Sequence, residues 1–152
     1  MSATLEAYLG RRSAARVLLG PLRRGVGETI EAALLFADLR GFTGISERLS
    51  PHEVVPLLNE YFSLLTEITF QHEGTVFHMA GDCLMVGFGV PFEQDDSAQR
   101  AVRAAREMLD RFAVLADSWR SRPRWMASSV RTVSVETKAL VEATPISGPA
   151  CM

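Results

Sequence analysis

The chain has 152 residues, 47% of them hydrophobic and 22% charged, with a formal net charge of −2. That length suits one domain with its own core, and the composition excludes a disordered or low-complexity chain. The charge balance gives no basic field for nucleic acid, and Cys83 and Cys151 are too few for a disulfide framework or a zinc site, which fits a reducing cytoplasm.

Residues 1–28 read as a connector: Arg- and Leu-rich, with room for a short helix, closing on the turn-like RRGVGE. Their charges come too early for a signal peptide. No window of the chain approaches the roughly 18 apolar residues of a membrane span. Glu31 to Asp38, EAALLFAD, is a near-continuous apolar run, the pattern of a strand covered on both faces. Ser50-Pro51-His52-Glu53 combines a capping box with proline at the first helical position, and Val54, Leu58, Tyr61, Leu65 and Ile68 form the apolar stripe of the helix it starts. Pro56 lacks an amide donor inside that helix and predicts a kink. GTVFHMAGDCLMVGFG then carries two strand-like runs, 75–79 and 83–88, joined through Ala80-Gly81-Asp82 as a hairpin. A second helix starts at Asp95/Asp96, with Ala98, Ala101, Val102, Ala105, Met108, Leu109, Phe112 and Leu115 on its predicted buried side. The order β-α-β-β-α is most of a ferredoxin-like sandwich. Residues 120–152 show no clear period and read as an atypical tail outside the fold.

Two acids stand at element ends, Asp38 where the first strand gives out and Asp82 in the hairpin tip. If the three strands are neighbours in one sheet, both carboxylates converge at one edge. With the backbone carbonyl of Leu39 they would offer the hard oxygen ligands that Mg²⁺ or Mn²⁺ prefers. Gly41 permits a tight turn, and the free amides of a short helix starting at Phe42-Thr43-Gly44 would receive phosphate. Taken singly, each acid more often fills an ordinary role than a metal-binding one: Asp38 as a turn or cap residue, Asp82 as a hairpin tip.

FADLRGFT, LNEYFSLLTEITFQHEGTV and AGDCLMVGFG, in that order, resemble the catalytic domain of class III adenylyl/guanylyl cyclases over Glu31 to Trp119. The resemblance implies an α+β sandwich of ferredoxin-like βαββαβ topology, incomplete at its C-terminus, with residues 29–119 as the partial domain. It implies two Mg²⁺ (or Mn²⁺) ions, conversion of ATP to cyclic AMP and pyrophosphate, and sites at a dimer interface formed with a second copy or with another cyclase domain. By position, Asp38, Leu39 and Asp82 correspond to the metal ligands and Gly41, Phe42 and Thr43 to the phosphate loop. His78 takes the base-selecting position, commonly a lysine, which leaves GTP open as substrate. The family's HxGxxxxG-like hairpin and its transition-state Asn-x-x-x-Arg segment do not occur in 120–152, so no catalytic residue is assigned and the chain alone is expected to be a poor cyclase. A non-catalytic nucleotide- or partner-binding module is the alternative. A cytoplasmic domain is implied, with membrane attachment of the parent protein only through an upstream part.

Overall fold

The computed structural model describes residues 31–122, the backbone of residues 134–142, and the isolated positions Ala14, Ala15 and Leu18. The short helix expected within 1–28 lies outside the described residues, apart from those three helical positions.

Strand β1 (Ala32–Arg40) shows a period of two from Ala33 onward. Ala33, Leu35, Ala37 and Leu39 are buried, whereas Leu34 and Phe36 are half-buried and Asp38 and Arg40 exposed. The expectation of a strand covered equally on both faces is therefore corrected. Helices cover one face, and a near-continuous apolar sequence conceals the alternation because Leu34 and Phe36 sit on the more open side. Gly41, at φ 84°, turns the chain out of β1 into the one-turn helix α1 (Phe42–Ser46). An L side chain is disfavoured in that left-handed conformation, which is why glycine follows the strand.

Helix α2 (Pro51–Gln71) begins as the sequence indicates. The Glu53 carboxylate accepts from the Ser50 backbone N–H at 2.7 Å and from its hydroxyl at 2.8 Å. The helix runs through Pro56 without ending. Leu57, Tyr61, Leu65 and Ile68 are its buried apolar residues, with Val54 and Leu58 packed at the margin.

Strands β2 (Thr75–Ala80) and β3 (Cys83–Phe88) form the expected hairpin, with Ala80 opposite Cys83 and the two-residue loop Gly81-Asp82 between them. Gly81 has φ 60°, the left-handed first position that a glycine-led hairpin turn requires. A bulge between Val76 and His78 places Phe77 over Gly87, where an added Cβ would meet the ring at 2.6 Å.

Helix α3 (Ser97–Arg120) is rotated relative to its expected stripe. Ala101, Ala104, Met108, Phe112, Ala116 and Trp119 are buried, whereas Val102 and Leu109 remain 47% and 41% exposed. Three alanines on the inner face let the helix lie close to the sheet, which displaces the bulkier Val102 and Leu109 to the flank. Trp119 closes the core. It meets Phe112 edge-on at 5.6 Å, and Phe112 meets Tyr61 edge-on at 5.8 Å. The Glu60 carboxylate ties α3 to α2 by accepting from Trp119 Nε1 at 2.8 Å and from Arg122 at 2.6 Å. His72 and Glu107, 2.8 Å apart, link the same two helices further along.

The tail expected to lie outside the fold supplies strand β4 (Ser134–Glu142), paired antiparallel with β1 from Ala32↔Glu142 to Arg40↔Ser134. Its sequence, SVETKALVE, alternates and carries Val135, Thr137 and Val141, residue types that favour strands. The mixed character of 120–152 as a whole hides that short pattern. The sheet order is β2-β3-β1-β4 with every neighbouring pair antiparallel. With α2 and α3 on one face, this is the ferredoxin-like βαββαβ sandwich, with its fourth strand present rather than missing.

Candidate metal and phosphate site

The last β1–β3 pair is Ala37 opposite Leu84, and the last β2–β3 pair is Ala80 opposite Cys83. Asp38 follows directly after the first pair and Asp82 occupies the loop that closes the second. Both acids therefore stand at the same end of the sheet. Their carboxyl groups are close enough for the charge of Asp38 to act on Asp82. Partial burial pushes the Asp82 carboxyl above the usual carboxylate range, reinforced by the charge of Asp38. Burial and the same two acids likewise push the Cys83 thiol up.

Leu39 is 3% exposed, its side chain lying in the core. After Gly41, the first bond of α1 runs from the Ile45 N–H to the Gly41 carbonyl at 3.2 Å. The amides of Phe42, Thr43 and Gly44 precede that bond, as the first turn of any helix does. Phe42 packs against the core edge, while Thr43 is exposed and its carbonyl accepts from Ser46 Oγ at 2.9 Å. His78 is exposed on β2 opposite Met85, which is also opposite Phe36, so it shares a sheet face with Phe36 and Asp38.

One residue at this end escaped the sequence reading. Tyr61 was assigned to the α2 stripe as core, and it is 0% exposed. Its hydroxyl has no hydrogen-bond partner, an arrangement that typically costs about 1–3 kcal/mol. Burial, with the nearby charges of Asp38, Asp82 and Cys83, drives its pKa far above the ordinary phenol value. A tyrosine at helical spacing gives no sequence signal of such a position.

The family model described as adenylate and guanylate cyclase catalytic domain matches residues 26–121. The chain belongs to that family. It is 37% identical over 81 residues to adenylate cyclase 1 of Rhizobium meliloti, a match spanning 53% of this chain and 12% of that protein. Among solved structures it is similar to the adenylyl cyclase CyaB of P. aeruginosa, with TM-score 0.65 and 30% identity, covering 75% of this chain and 56% of that one. The guanylyl cyclase Cya2 is comparably similar, with TM-score 0.65 and 32% identity over 74% of this chain and 54% of that one. The chain thus spans about an eighth of the curated relative and little more than half of each solved chain. Among the described residues, no helix is long and apolar enough to cross a membrane.

Proposed function

We propose that this chain provides the cation- and triphosphate-binding half of a nucleotide cyclase site, in a cytoplasmic domain that converts ATP to cyclic AMP and pyrophosphate. GTP is the alternative substrate. The placement of Asp38 and Asp82 at one end of the sheet carries this reading. Two carboxylates there, one of them held above its usual range by burial and by the charge of the other, form a donor set that a divalent cation would relieve.

Asp38, Asp82 and the Leu39 carbonyl would hold two Mg²⁺ or Mn²⁺ ions. When bound, such ions supply Lewis-acid activation of the ribose hydroxyl and neutralise phosphate charge. The chain's own residues do the rest of the positioning. Gly41 turns the backbone out of β1 into α1, and the amides of Phe42 and Thr43 would receive the terminal phosphates. His78, on the face of Asp38, offers an imidazole that donates or accepts at a base edge according to its tautomer. That face also carries half-buried Leu34, Phe36 and Met85 beside Phe77, which is 39% exposed, and there a second cyclase domain would dock.

No Asn-x-x-x-Arg segment occurs in 120–152, and a single preorganised donor at the transition state is worth about 10²–10³ in rate. The second domain would therefore supply that charge. The test is a mixture with a complete cyclase domain whose own two metal aspartates are replaced by asparagine. Cyclic nucleotide formed by the mixture, and lost when this chain carries Asp38→Asn, is the expected result. Robust turnover by this chain alone would contradict the half-site reading.

A further inference from the structure

We infer that Arg40 is a phosphate-binding residue, its guanidinium donating to oxygens of the triphosphate that the cations at Asp38 would hold. The inference rests on the metal reading above and adds a charged residue to it.

The alternation of β1 places this side chain. Ala33, Leu35, Ala37 and Leu39 are buried on the face the helices cover, so Leu34, Phe36, Asp38 and Arg40 share the open one. Asp38 and Arg40 are successive residues of that face, about 7 Å apart along the strand, and both are exposed. Arg40 is also the terminal β1–β4 pair, opposite Ser134, so the backbone that carries it is held in the sheet. Gly41 follows at φ 84° and turns the chain away. Arg40 is therefore the last residue on the face of Asp38 before the backbone leaves the strand.

Charge balance calls for a cation there. The charges of two divalent ions cancel the two acids and only part of a fully ionised triphosphate, so the loaded site stays net anionic. Leu34, Phe36 and Met85, on the same face, supply no charge. Arginine suits the surplus, because its guanidinium is always protonated and its planar fork meets two phosphate oxygens at once. Its long stem gives that fork reach from the strand end toward Asp38. An exposed charged side chain contributes little to stability, so replacing Arg40 should leave the fold intact.

The test is calorimetry on the full chain, with Mn²⁺ alone and then with inorganic tripolyphosphate or ATP in the presence of Mn²⁺. Arg40→Gln should bind Mn²⁺ alone within about twofold of wild type, yet bind both phosphate ligands about tenfold more weakly. Its affinity for them should also fall less steeply with added salt. Arg40→Lys should recover part of the loss, since it restores the charge without the fork. If Asp38→Asn loses Mn²⁺-dependent tripolyphosphate binding while Arg40→Gln stays within about twofold of wild type, the role of Arg40 is overturned and the metal reading stands. An Arg40→Gln that loses Mn²⁺ alone as strongly as it loses tripolyphosphate would also overturn it, because the arginine would then support the acids rather than the phosphates. If wild type binds no Mn²⁺, or Asp38→Asn binds as wild type does, the metal reading fails and this inference with it.

Discussion

Asp38 and Asp82, far apart in the chain, stand at the same end of the sheet, one directly after the last β1–β3 pair and the other in the turn that joins β2 to β3. The pairing of β1 with β3 brings them together, and nothing in either residue's local sequence requires it. The metal-free protein therefore holds two acids where one charge disfavours the other.

That conflict predicts a pH dependence. Asp82 sits above the usual carboxylate range in the folded state, with burial the largest cause and Asp38 next. For an acid raised on folding, the native state binds the proton more tightly than the unfolded chain. The penalty is fully present above the folded pKa and is relieved as pH falls toward the unfolded value. Asp82→Asn should raise the melting temperature of metal-free protein near neutral pH, and the difference from wild type should shrink as pH is lowered through that window. A melt series across pH, wild type beside variant, checks the sign.

Among the described residues Trp119 is the largest fully buried side chain, and it joins α3 to α2 through its bond to Glu60 while packing on Phe112. Trp119→Ala should cost about 3–5 kcal/mol in urea unfolding, the range for emptying a large aromatic from a core. Glu60→Leu should cost less, about 1–3 kcal/mol, because it leaves the buried indole N–H without its acceptor.

Gly87 and Phe77 should be coupled. A methyl at Gly87 lands 2.6 Å from the Phe77 ring, so Gly87→Ala must push the ring toward solvent. The substitution is expected to destabilise by about 1 kcal/mol, and by measurably less when Phe77→Ala has already emptied the space, a coupling that a double-mutant cycle reads directly.

Strand β4 covers the full length of β1. A chain stopped after Arg122 would leave β1 as an open edge with unpaired amides and carbonyls, a template for self-association. It should melt lower than the full chain and sediment as larger species at equal concentration.

How much of this was legible beforehand follows from the range of each signal. The Ser50–Glu53 cap and the Gly81-Asp82 hairpin are local chemistry, and they stand where the sequence indicates. The face of α3 was misread at Val102 and Leu109 because hydrophobicity alone ranks them above Ala104 and Ala116, whereas close packing on a sheet favours the small residues. The strand at Ser134–Glu142 was missed because nine alternating residues inside a mixed tail give a weak pattern until β1 offers a partner. Both acids were singled out, but their placement at one end of the sheet is a matter of register, and Tyr61 was indistinguishable from any other core aromatic.

The most direct test is a titration of the chain with Mn²⁺ in the presence of ATP, comparing wild type with Asp38→Asn, Asp82→Asn and the double variant. Each single change should weaken cation-dependent nucleotide binding at least about tenfold, and the double variant should show none, since removing ligands from a two-acid site leaves too few hard oxygens to hold the ion. Equal binding by wild type and the double variant would contradict the account.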